Sequence, residues 1–123
     1  MIRGSVNAKL EASIELTVRG FKTQVLSIRA VVDTGFTDYL TLPTEVIDLL
    51  QLPVGGVATA TLADGTTAAF DVFVGQVVWD GVARTVPIMR ADADALVGMS
   101  LMADQELTVT VRDGGTLVLR PAP

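Results

Sequence analysis

The sequence predicts an all-β fold: a small closed barrel with one or two short helices and one lobe per chain. Three observations carry that prediction. Apolar residues alternate with polar ones along much of the chain, the period of a strand with one buried face. Two Asp-Gly pairs, Asp64-Gly65 and Asp80-Gly81, each lie between strand-like runs and mark hairpins. Only two short stretches break into helix-like spacing, and many short strands with few helices favour a small barrel.

Taken in order, Val6, Ala8, Leu10 and Ala12 alternate with polar neighbours, and Ile14, Leu16 and Val18 continue the pattern. Arg19-Gly20 turns the chain into Phe21–Val32. Leu40 and Leu42 form a further strand. Pro43 then suits the first turn of a helix, because the donor it lacks would be orphaned there anyway. Val46, Ile47, Leu49 and Leu50 have i, i+3, i+4 spacing, which predicts a short helix over 43–51, ended by Leu52-Pro53-Val54-Gly55-Gly56. Val57–Leu62 and Thr66–Val74 form the first hairpin around Ala63-Asp64-Gly65. Phe73–Trp79 and Val82–Met89 form the second around Asp80-Gly81. After the polar loop Ala91-Asp92-Ala93-Asp94 comes the apolar run Ala95-Leu96-Val97-Gly98, with a short helix expected over Met99–Ala103. Leu107–Val111 and Thr116–Leu119 close the chain around Asp113-Gly114-Gly115.

A chain of 123 residues can bury a real core, and a single domain over 1–123 is expected. Half the residues are apolar, yet no run approaches the roughly eighteen apolar residues of a spanning helix. Met1-Ile2-Arg3-Gly4-Ser5 lacks the apolar stretch of a secretory leader, so a cytoplasmic protein without a membrane partner is expected. Cysteine and histidine are both absent. That removes disulfides, thiolate nucleophiles, Ser-His-Asp and Cys-His machinery and the usual zinc sites; no metal or cofactor is expected. The net charge is −5, and the nine basic residues are scattered. Nucleic acid is therefore not an expected partner, for want of a basic stripe to displace counterions.

The remaining chemistry concentrates at Ala30–Pro43. An apolar run, Ala30-Val31-Val32, delivers Asp33 into the turn Asp33-Thr34-Gly35, and a strand-like stretch, Tyr39–Leu42, leaves it. A carboxylate at the end of a buried strand is costly unless hydrogen-bonded, paired or neutralised. Backbone N–H groups near Gly35 offer those bonds, and glycine tolerates the tight dihedrals such a turn can require. A loop acid in an ordinary strand–turn–strand connection is the competing reading. The tripeptide alone would arise by chance in about one chain of this length in forty, so its surroundings matter.

Those surroundings resemble the single-lobe, retropepsin-like aspartic proteases, most closely the small bacterial type. The residues that carry the resemblance are Asp33-Thr34-Gly35 after three apolar residues, an Asp-Gly hairpin some thirty residues on, and Leu96-Val97-Gly98. It covers nearly the whole chain. It implies a retropepsin-like acid-protease barrel and an aspartic endopeptidase in which two carboxylates about 3 Å apart share a proton, one as base on a water and one as acid. One chain supplies one triplet. The implied site is therefore shared by a homodimer, Asp33 meeting its own twin across a two-fold axis, with a polypeptide as substrate. By the same resemblance Thr34 locks the two turns together and Gly35 allows close backbone approach. Val57–Phe70 is either an ordinary surface hairpin or, by the resemblance, the flap over bound peptide, its tip Ala63-Asp64-Gly65-Thr66; Leu62, Ala63, Asp64 and Gly65 there, with Asp38, Leu40 and Val97, then touch substrate. For Leu40 and Val97 core packing is the alternative, and for Asp38 an exposed loop acid.

The chain also departs from the pattern. Phe36 replaces the Ser, Thr or Ala that follows the triplet in relatives. Thr37 and Met99 stand where retroviral members pair an acid with an arginine, which avoids a buried unpaired charge but removes a support of their dimers. The terminal strands around Val6 and Val118 are then the candidates for holding two copies together. A non-catalytic dimeric module binding peptide or partner on the same fold is the alternative function. A small-ligand barrel finds no convergent polar set in the sequence.

Overall fold

The computed structural model describes all 123 residues. Ten strands and one helix follow in order: β1 (Ile2–Val6), β2 (Ala12–Arg19), β3 (Val25–Val32), β4 (Leu40–Leu42), α1 (Thr44–Leu50), β5 (Val54–Thr61), β6 (Thr67–Trp79), β7 (Val82–Arg90), β8 (Ala95–Val97), β9 (Gln105–Val109) and β10 (Thr116–Pro121). Neighbouring strands run β5-β6-β7-β4-β8-β3-β2-β1-β10-β9. An additional antiparallel pairing, Thr17–Arg19 of β2 against Val78–Gln76 of β6, closes β6, β7, β4, β8, β3 and β2 into a six-stranded barrel. No helix is long and apolar enough to cross a membrane.

The barrel is filled from alternating positions. Ile14, Leu16 and Val18 of β2 and Val77 and Trp79 of β6 point inward, each at most 5% exposed. α1 plugs one end with Ile47 and Leu50. Its C-terminus stops at Gln51, whose left-handed backbone (φ 52°) returns its N–H to Asp48. The helix lies so close to the β2–β3 loop that a methyl group on Gly20 would collide with the Leu50 carbonyl.

The tight turns follow the local chemistry. Asp80 and Gly81 both have positive φ, 50° and 83°, as a two-residue hairpin loop requires. Gly65 (φ 84°) is the left-handed residue of the three-residue loop Ala63-Asp64-Gly65, closed by the Leu62 N–H on the Thr66 carbonyl at 2.7 Å.

Two expectations are corrected. Val6–Ala12 is not one strand. Asn7 Oδ1 accepts the N–H groups of Lys9 and Glu11, Leu10 turns left-handed (φ 61°), and the strand is instead Ile2–Val6. Met99–Ala103 is a run of turns, not a helix: Leu101 N–H bonds Gly98 and Gln105 N–H bonds Met102, both three-residue steps. So short a segment gains little from helical bonds of its own.

Candidate active site

β8 is the keystone of the site. On one side it runs parallel to β3, with Val31 opposite Leu96 and Val32 opposite Val97. On the other it runs antiparallel to β4, with Leu40 opposite Val97. Three residues are few to hold two strands together, and backbone bonds from both flanks supply the rest. Asp33 N–H donates to the Val97 carbonyl at 3.0 Å, Gly98 N–H to Tyr39 at 2.9 Å, Met99 N–H to Phe36 at 2.8 Å and Ser100 N–H to Asp38 at 3.2 Å. The Ser100 hydroxyl donates to the Thr37 carbonyl, and Leu96 N–H donates to the hydroxyl oxygen of buried Thr41 at 3.0 Å. The loop carrying Asp33 is thus clamped by residues 97–100 through neutral bonds. An acid–arginine pair at Thr37 and Met99 is not needed to hold it.

Within the clamp, Phe36 N–H closes a turn on the Asp33 carbonyl at 3.2 Å, and Gly35 N–H donates to Asp33 Oδ1 at 2.9 Å. One carboxylate oxygen is therefore fixed by a charge-assisted bond while the other is uncommitted. Gly35 does not have a left-handed backbone, contrary to the sequence-based argument for it. The one constraint on a side chain at Gly35 is that a Cβ would stand 3.2 Å from Asp33 Oδ1, so the carboxylate would have to give by a few tenths of an ångström. Gly98 answers a harder constraint. A Cβ there would collide with the Asp38 carbonyl and would stand 2.7 Å from the Phe36 ring. Phe36 in the place of a small residue is thus matched by a glycine facing it.

Of the residues singled out in the sequence, Asp33, Thr34 and Gly35 share this turn, Asp33 half-buried and the other two exposed. Asp38 is an exposed acid whose carbonyl serves the clamp. Leu40 and Val97 are 0% exposed, which puts their side chains in the core with no surface to offer a peptide. The neighbour that alternation turns the other way, Leu96, is half-buried; the sequence pointed to it as part of the Leu96-Val97-Gly98 run but not as a substrate contact.

Leu62, Ala63, Asp64 and Gly65 form the exposed tip of the β5–β6 hairpin. Its hydrogen bonds are local: the Thr66 hydroxyl and N–H both donate to Asp64 Oδ1, at 2.6 and 3.0 Å. These bonds, the hydroxyl's first, hold the Asp64 carboxyl below its ordinary value of 3.8. Beyond the barrel the hairpin stands free, with Val57, Leu62 and Phe70 exposed. At its root lies a cavity of about 570 Å³ between the two strands and β7. There the Arg90 guanidinium sits 5.2 Å from the centroid of the Phe73 ring. Asp33 does not line that cavity.

A smaller cavity of about 240 Å³, lined by Asn7, Glu11, Ser13, Arg29, Val31 and Asp94, lies on the outer face of β2 and β3. In sequence Val31 and Asp94 stand only as strand and loop residues, and nothing there brings the six together in a pocket. One signal was available, for strand alternation puts Arg29 and Val31 on one face of the strand that leads directly into Asp33.

No family model and no curated protein matches the chain. Among solved structures it is similar to the crystal structure of a retropepsin-like aspartic protease from Rickettsia conorii. The TM-score is 0.60 and the identity 17%, over 99% of this chain and 91% of that one. The likeness is one of fold: the chain is a single-lobe, retropepsin-like barrel.

Proposed function

We propose that this chain is half of an aspartic endopeptidase, completed by a second copy of itself. The observation that carries the reading is the Asp33 turn. In a retropepsin-like barrel, the chain's one Asp-Thr-Gly turn is clamped rigidly between β3, β8 and β4 with a carboxylate oxygen uncommitted. Thr34, Gly35 and the 47%-exposed Met99 surround it as accessible surface on which a second copy could sit.

In the assembled site the two Asp33 carboxyls lie about 3 Å apart and carry one proton between them, because like charges at that distance do not both ionise. The ionised member takes a proton from a water held between them. The protonated member gives its proton to the scissile carbonyl oxygen as the water adds, forming a tetrahedral diol. Collapse of the diol returns a proton to the leaving nitrogen, and the pair is restored. The β5–β6 hairpin closes over the extended peptide and excludes water, with main-chain bonds to the substrate strand.

The test is cleavage of a peptide library from about pH 3 to about pH 7.5, with wild type, Asp33→Asn and a pepstatin-like inhibitor compared. Loss of cleavage in the variant and with inhibitor is expected. Cleavage that survives Asp33→Asn removes this residue from the reaction. Peptide binding without cleavage by an assembled dimer makes the chain a binding module instead.

A further inference from the structure

We infer that the cavity lined by Ser13, Glu11 and Asp94 is a specificity pocket that receives a basic side chain, Lys or Arg, from the substrate next to the scissile bond. The inference rests on the proteolytic reading of Asp33 and assigns it a substrate class.

Position comes first. Along β3, Ala30 is fully buried, and Leu26, Ile28 and Val32 pack on the core, so Arg29 and Val31 share the opposite face; Asp33 follows directly after the strand, its N–H still bonded to the Val97 carbonyl of β8. Val31 lines the cavity, and two residues of strand separate it from Asp33 by about 7 Å. An extended peptide lying over Asp33 advances about 3.3 Å per residue. The side chain reaching the cavity therefore belongs to a residue one or two places from the bond being cut.

The lining then selects the occupant. Ser13 stands opposite Val31 on a face that would ordinarily be wet, yet it is only 7% exposed because the Asn7–Glu11 turn and the loop at Asp94 flank it. Its hydroxyl makes no side-chain hydrogen bond within the chain and is not sealed off from solvent, so it opens onto the cavity, free to bond an occupant. Asn7 fixes the pocket wall, its amide donating to Glu11 Oε1 at 2.9 Å and its Oδ1 accepting two backbone N–H groups. That leaves Glu11 Oε2 and both Asp94 oxygens without a bond in the chain. The single cation, Arg29, leans toward Glu15 on β2 at 3.8 Å, both side chains 67% exposed. Two carboxylates outnumber the one guanidinium around a space of about 240 Å³ that a hydroxyl also faces, room for about eight waters at about 30 Å³ each. That suits one long side chain ending in N–H donors. The chain's net charge of −5 favours the approach of such peptides.

The test compares kcat/KM on matched peptides that differ only in Lys, Leu or Glu at the positions flanking the cut. Wild type is expected to prefer Lys about two- to fivefold, the range of a partly exposed charge pair. In Glu11→Gln/Asp94→Asn that ratio should fall to about one, and Asp94→Lys should shift preference toward Glu. No preference for Lys in wild type overturns the inference, as does a Lys preference unmoved by these substitutions. A wild-type preference for Glu would make Arg29 the reader and also overturns it. If wild type cuts nothing, the proteolytic reading fails separately, and the same peptides are titrated onto the protein by NMR. Shifts at Ser13, Glu11 and Asp94 with the Lys peptide alone uphold the pocket, and their absence overturns it.

Discussion

Glycine stands at both ends of the clamp around Asp33, and the two positions tolerate a methyl group very differently. At Gly35 the nearest atom to an added Cβ is Asp33 Oδ1 at 3.2 Å, and the backbone there is open to any residue. Gly35→Ala should therefore change stability by no more than about 1 kcal/mol in either direction. It displaces the carboxylate, however, and should lower cleavage at least tenfold, since small misplacements of reacting groups are costly. At Gly98 the obstacle is backbone, the Asp38 carbonyl, which has no rotamer to yield. Gly98→Ala should cost about 2 kcal/mol or more in thermal or denaturant unfolding, and activity should fall with the folded fraction. Equal stability losses in the two variants would show that the clamp does not hold residues 97–100 against the loop as described. Leu40→Ala belongs with Gly98→Ala. Its side chain is wholly buried, so about 2–5 kcal/mol of stability should go, measured the same way.

At the scale of single elements, the β5–β6 hairpin carries a local acid-sensitive contact. Asp64 is held below its ordinary 3.8 chiefly by the Thr66 hydroxyl and then by the Thr66 N–H. A carboxyl lowered by folding stabilises the tip fully above its unfolded value, and that contribution fades as pH falls through the folded one. Thr66→Val removes the larger cause and keeps the N–H. The Asp64 midpoint, followed by carboxyl-carbon NMR, should rise toward 3.8, and the tip should lose its extra order at higher pH than in wild type. An unchanged midpoint would mean that the hydroxyl bond does not persist in solution.

The loop itself was legible in sequence because Asp-Gly chemistry acts within a few residues. Strand β6 was less so. Its first half, exposed on both faces, and its second half, alternating into the core, read as separate runs but form one strand of 13 residues. Val6–Ala12 misled for the reverse reason. Its alternation is that of a strand, but the Asn7 side chain captures two N–H groups and bends the chain. The Asp33 turn could be read because the bonds that shape it, from the Gly35 and Phe36 N–H groups to Asp33, are local, whereas its clamp to residues 97–100 forms only in the fold. The cavity beside it could not, because Asn7, Ser13, Arg29 and Asp94 meet only once the barrel closes.

On the scale of the whole molecule, the question is how two copies would meet. Both edges of each terminal strand are already used within the chain: β1 lies between β2 and β10, and β10 lies between β1 and β9. Strands at Val6 and Val118 can thus offer a partner their faces but cannot extend its sheet, and the free edges belong to β5 and β9. With no terminal edge to interleave, the contact would centre on the Asp33 turns and the surface around them, a smaller area and a weaker pair. Activity per molecule should then fall on dilution, more steeply than for a site contained in one chain. Subunit mixing makes the argument sharper. If two Asp33 residues form the site, a copy carrying Asp33→Asn spoils any wild-type copy it joins. In an equal mixture allowed to exchange, only about one quarter of the pairs are wild type on both sides. Adding an equal amount of the variant at fixed wild-type concentration, well above the dissociation constant, should therefore cut total activity about in half. Activity that tracks the amount of wild-type protein alone, at concentrations where native mass spectrometry with a mass-tagged variant shows mixed dimers, would mean each chain works by itself.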